Sequence, residues 1–182
     1  MRAYKVLNHN GRSDFSGWHW PLPEGGRPGE WVVAEGELRL CQNGIHASTA
    51  QQLPHWLGME LWEIELAGEI QHDEAALVAA RGRLVSRIEA WDEPMRKRFA
   101  SWCLERAREI ARSYPAGEGL AQKVEHTLWW GGAAPAGYFT AMLAGESVSG
   151  RHSGEAYDKG FLAERRLQSE WLVRELALTL TR

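Results

Sequence analysis

Residues 36–70, GELRLCQNGIHASTAQQLPHWLGMELWEIELAGEI, decide how this chain is read. A short strand, ELRL, leads into the Asn43–Gly44 pair, which supplies the positive-φ chemistry of tight turns. A polar His-Ala-Ser-Thr step follows, then a brief amphipathic segment and the alternating strand ELWEIELAGEI. In STAQQLPHWL, Ser48 or Thr49 is placed to cap a short helix, with Pro54 either near its start or breaking it. The order puts one imidazole and two hydroxyls where a strand meets a helix. At such junctions backbone donors and side chains converge on ligands.

Upstream, AYKVLN (3–8) reads as a first strand ended by the turn-rich HNGRSDFSG. Residues 17–30, GWHWPLPEGGRPGE, form a Pro/Gly-rich loop, and a loop of that length inside a small protein is usually functional or mobile. WVVAEG is a short strand beyond it. Downstream, ALVAARGRLVSRIEAW continues as one bent strand or two, broken at Gly82.

From Asp92 the pattern becomes helical. Asp92 is a cap, Pro94 lies in the first turn, and Met95, Phe99, Trp102, Cys103 and Ile110 recur at helical spacing. Further helices are expected at 119–130, 134–145 and 155–180. On the last, Glu164, Arg165 and Gln168 fall inside the apolar arc, either pairing at a helix seam or forming a polar patch shared with the β half. The fold class is therefore α+β: a β-rich unit at 1–91 with a mixed sheet, and a helical unit at 92–182.

A length of 182 residues supports a core without staples. The net charge is −3. The first 91 residues carry 8 Lys/Arg against 12 Asp/Glu and the rest 13 against 12, so a nucleic-acid partner fits the second half better. Two cysteines, Cys41 and Cys103, make no disulfide framework, and no Cys/His spacing suggests a metal site. The N-terminus lacks an apolar signal segment and no window reaches membrane-span length, which reads as a cytoplasmic protein without a membrane partner. No Gly-rich phosphate loop, Ser-His-Asp order or HExxH motif occurs.

Ten tryptophans stand out. Most are expected to fill the core. Trp18 and Trp20, flanking His19 on the Pro/Gly loop, are the candidates for an aromatic platform that takes a base or sugar. The alternative is that the loop folds its indoles onto the sheet. The basic residues Arg96, Lys97, Arg98, Arg106, Arg108 and Arg112 alternate with Glu105 and Glu109, which favours a solvated helix face over a phosphate track.

The N-terminal half resembles the ADP-ribosyltransferase fold, in its poly(ADP-ribose) polymerase-like branch. NGIHASTA is similar to that branch's Gly-Ile-Tyr-Phe-Ala step, LPHWL…ELWEIELAGE to its short helix and next strand, and ALVAARGRLVSRI to the strand pair near its catalytic Glu. The segment also resembles small phage and bacterial domains sharing a Cys-x-x-Gly-(Phe/Ile)-His-Ala step. The resemblance covers about 70 residues. It implies NAD as cofactor and a macromolecular acceptor, nucleic acid or protein. It implies His46 and Glu74 as catalytic residues and Lys5, Gly44 and Ser48 as cofactor-binding ones. His46 then meets nicotinamide, Ser48 a ribose hydroxyl and Lys5 the pyrophosphate, while Glu74 stabilises the oxocarbenium-like state. Trp18, His19 and Trp20 are the substrate-binding candidates.

The departures are specific. The family's first-strand His is absent, Lys5 or Val6 standing there with His9 beyond, and its Tyr is replaced by His46. Each assigned residue also has an ordinary structural role open to it. His46 suits a strand-end imidazole bonded to backbone, Ser48 a helix cap, Lys5 a solvated edge charge, Glu74 a turn acid and Cys41 a small buried apolar residue. Two functions follow: an NAD-dependent ADP-ribosyltransferase-like protein, or a non-catalytic binding module on the same scaffold.

Overall fold

The computed structural model describes residues 1–130 and 132–179. Its framework is the hairpin of β4 (Glu60–His72) and β5 (Leu77–Arg87), antiparallel from Trp62↔Arg87 to His72↔Leu77. Alternation in ELWEIEL puts Ile64 and Leu66 into the core, while Glu63 and Glu65 on the other face meet Ser86 and Arg83. Two register shifts, Glu63/Ile64 and Ala67/Ile70, bend β4.

Gly82 does not break β5. A Cβ there would lie 2.7 Å from Ile45 Cγ2 and 3.1 Å from Ile64 Cδ1, so the bare Gly82 backbone is what these side chains pack against.

β1 (Arg2–Leu7) pairs antiparallel with β4 from Arg2↔Glu65 to Leu7↔Glu60. On the far edge of β5 lie β2 (Val32–Val33) and β3 (Ile45–Ala47), each antiparallel to it. Directly after β3, Ser48 exchanges both backbone bonds with Tyr4 of β1 at 2.8 Å. The order β1-β4-β5-β3 thus returns to β1, closing the sheet into a small barrel and leaving little open edge. Its interior holds Ala3, Leu7, Trp20, Ile45, Ala47, Trp62, Ile64, Leu66, Leu77, Ala79 and Leu84.

Three expectations need correction. The sheet is not mixed: every strand pairing among the described residues is antiparallel, as the tight 73–76 connection of β4 and β5 requires. ELRL is not a strand. Asn43 donates its side-chain amide to the carbonyls of Glu35 and Glu37 at 2.8 and 2.9 Å, tying those backbone groups into a turn, and the strand comes after that turn as IHA. STAQQLPHWL forms one 3-10 turn, Leu53–His55, with Gln52 rather than Ser48 or Thr49 preceding it. Gln52 Oε1 accepts the Thr49 N–H, and Pro54 has no N–H to extend an α-helix.

The chain divides into two units, Met1–Trp91 joined by the segment from Leu172, and Asp92–Trp171. In the first, Tyr4 Oη accepts the Thr179 N–H at 2.8 Å. The second holds α1 (Glu93–Ser113), α2 (Glu118–Thr127), α3 (Ala133–Ser149) and most of α4 (Glu155–Leu176). Residue 180, where the last helix was expected to end, lies outside the described residues.

Asp92 caps α1, its Oδ1 accepting the Met95 N–H at 2.8 Å. The charged residues in the apolar arc of α4 pair at helix seams. Glu164, 2% exposed, receives Arg106 at 2.9 Å, while Arg165 donates to Gln168, which donates to the Gly137 carbonyl. Three residues of the basic face of α1 are likewise paired: Lys97 with Glu93, Arg106 with Glu109, Arg108 with Glu125. No helix among the described residues is long and apolar enough to cross a membrane.

Candidate functional site

A cavity of about 560 Å³ opens in the first unit between the 41–48 segment and the 13–20 loop. The loop is shaped by a short backbone ladder, with Asn8 N–H donating to Arg12, Ser13 N–H to Trp18 and Trp20 N–H to Gly11. Asn10 (φ 60°) and Gly11 (φ 68°) make its left-handed corner. Both N–H groups of that corner are taken by the buried Glu60 carboxylate at 3.0 and 3.1 Å, which also accepts Trp62 Nε1 and faces Arg87. Ser13, Asp14, Phe15, Ser16, Trp18 and Trp20 then form one wall.

Trp20 is 6% exposed and Trp18 45%, their rings meeting edge to face at 5.4 Å. Trp20 Nε1 donates to Ser13 Oγ, and Trp56, on the opposite side, donates its Nε1 to the Ala75 carbonyl. Each of these two indoles is thus held by its polar end.

His46 lies half-buried on the wall. Its Nε2 accepts the Cys41 N–H at 2.8 Å and its Nδ1 donates to the Gly44 carbonyl at 3.1 Å, which fixes one neutral tautomer. Burial, then the Lys5 ammonium, push its pKa down, and the Gly44 bond opposes them. Both ring nitrogens therefore serve the 41–44 turn. That turn needs positive φ at Cys41 (61°) and Gly44 (129°), and a Cβ on Gly44 would sit 2.2 Å from Val78 Cγ2. Cys41 is exposed at the cavity rim rather than buried.

Lys5 is no edge charge. Pairing with Trp62, it shares the inner face with Ala3 and Leu7, and its Nζ donates to the His46 carbonyl at 2.6 Å and lies 5.0 Å from the Trp20 ring centre. Burial pushes its pKa down to about 8 against the pull of Asp14. Ser48 is buried on the wall, locked to Tyr4 by its backbone.

The structure brings Lys5, Gly44, His46, Ser48, Trp18 and Trp20 to one cavity. It does not bring Glu74 or His19 there. Glu74 is exposed in the β4–β5 turn, and His19 points along the loop, its Nε2 accepting Arg12 Nε at 2.8 Å. The carboxylate on the wall is Asp14, which sequence reasoning passed over. Its only signal was its place three residues before Gly17 in that loop. No group of three or more His, Cys, Asp or Glu among the described residues is placed to hold a metal ion.

No family model matches the chain, and no curated protein or solved structure matches it either.

Proposed function

We propose that the first unit is a binding module for a nucleotide-class ligand, with NAD the first to be tried, and that it works without transfer chemistry. The observation that carries this is the aromatic cavity, whose volume falls in the range of roughly 300–1,000 Å³ typical of small-molecule sites. It is walled by three indoles and has Lys5, Asp14, Ser48 and Gln42 as its convergent polar groups.

The absence of a ready catalyst supports the non-catalytic form. A general base needs a free lone pair, and both nitrogens of His46 serve the backbone. Glu74 stands away from the wall.

A second reading, NAD-dependent ADP-ribosyl transfer to a nucleic-acid or protein acceptor, is favoured by one observation. Asp14 offers that wall a carboxylate able to stabilise developing positive charge.

Unfolding in the presence of NAD tests the module, because a ligand that binds only the folded state raises its stability. NAD is expected to raise the unfolding midpoint of the wild type and to leave Trp18→Ala unmoved. No shift in the wild type rules NAD out as the ligand. Release of nicotinamide during incubation, abolished in Asp14→Asn, decides for the transfer reading.

A further inference from the structure

We infer that the cavity recognises the uncharged planar ring of its ligand, a nitrogen heterocycle with an amide or carbonyl edge such as a nucleobase or nicotinamide, and that it gives phosphate no purchase. The inference rests on the module reading above and narrows its ligand.

Phosphate recognition needs unspent cationic charge or a run of free backbone N–H groups. The ionised side chains on the wall are Lys5 and Asp14, and their charges cancel. Lys5 already gives one donor to the His46 carbonyl and rests over the Trp20 ring. His46 is held neutral by burial and the nearby Lys5 ammonium, with its Nε2 accepting the Cys41 N–H.

Six of the wall's amides are already bonded within the protein. Cys41 N–H goes to His46, Gln42 N–H to Arg39 and Ser48 N–H to Tyr4. In the loop, Ser13 N–H goes to Trp18, Trp18 N–H to Ser16 Oγ and Trp20 N–H to Gly11. A phosphate entering here would meet the Asp14 carboxylate, with these six amides already occupied and no cation left unbalanced.

A flat ring meets the opposite situation. The Trp56 indole is fixed by its N–H bond, so little side-chain entropy is lost when a ring stacks on it, and the buried Trp20, likewise fixed, backs the cavity. Trp18 adds a partly exposed third surface. The Gln42 amide and the hydroxyls of Ser16 and Ser48 supply donors and acceptors for a heterocycle's polar edge.

Calorimetric titration of the full chain tests this, using adenosine beside AMP, cytidine beside CMP, and free nicotinamide. The nucleoside and nucleotide of a bound pair are expected to agree within about threefold, with little change when salt is raised to about 0.5 M, since no exposed charge pairing contributes. Asp14→Asn, at an exposed position, unbalances Lys5 and is expected to make the phosphorylated member about tenfold tighter than its nucleoside.

If a nucleotide binds the wild type more than about tenfold tighter than its nucleoside, the ligand is held by its phosphate. The ring inference then falls while the module reading stands. If neither these compounds nor NAD binds, the module reading fails and takes the inference with it.

Discussion

The Glu60 carboxylate and the Gly11 N–H meet at 3.1 Å in the interior, at the left-handed corner where the 13–20 loop begins. Glu60 is 4% exposed, and its acceptor positions are shared among Asn10, Gly11, Trp62 and Arg87. The charge serves to hold a cavity wall in place rather than to do chemistry. Glu60→Gln puts an NH2 among donors and is expected to cost about 2–4 kcal/mol, because a buried group loses its charge-assisted bonds. Denaturant unfolding measures the loss. Amide exchange at Gly11 is expected to accelerate more than exchange in β5.

His46 sets an acid limit. Its folded pKa lies below the ordinary value of 6.5, so the unfolded chain takes up the proton first. The stability that His46 contributes is complete above about pH 6.5 and is lost as pH falls through the lowered folded value. Protonation also abolishes the Nε2 acceptor for Cys41 N–H. Exchange of the Cys41 amide is expected to speed up on acidification, and His46→Gln is expected to remove that dependence.

Lys5 acts at the other end of the scale. Folding lowers its pKa from 10.5 to about 8, so between those values the unfolded chain holds a proton that the folded chain has released. Stability therefore rises with pH across that window. Lys5→Met keeps the stem on the inner face and is expected to raise the unfolding midpoint at pH 7 and to flatten the rise. Midpoints of both proteins from pH 7 to 10 check this.

In the helical unit, the two carboxylates that face Arg106 separate by burial. Glu164 is 2% exposed and Glu109 60%. Glu164→Gln is expected to cost about 2–3 kcal/mol and Glu109→Gln less than about 0.5, since exposed pairs contribute little. Parallel denaturation of the two variants measures the difference.

What the sequence made legible follows from how local each signal is. The β4 alternation, the Asp92 cap and the spacing of Phe99 and Cys103 are patterns within one element, and each recurs in the structure as read. The conversion of ELRL to a turn depends on Asn43 reaching carbonyls six and eight residues away. Barrel closure rests on Ser48 meeting Tyr4, and no periodicity within either segment marks that pair.

The site divided the same way. The 41–48 segment reads as a strand–helix junction; the helix is a single 3-10 turn, but the segment does line a cavity. Asp14 and Glu60 escaped notice because their roles arise from the loop folding back on β4. Glu74 was assigned by the resemblance's order of segments, which does not specify on which side of a hairpin turn a side chain falls.

The most direct test follows the indole N–H resonances of the full chain while adenosine, cytidine or nicotinamide is added. The ten tryptophans act as reporters spread over both units. Trp18, Trp20 and Trp56 line the cavity, whereas Trp102 and Trp171 pack together in the helices. Saturable shifts confined to Trp18, Trp20 and Trp56 are the predicted result. Unmoved resonances with every ligand, or shifts centred on the helical tryptophans, would contradict the account.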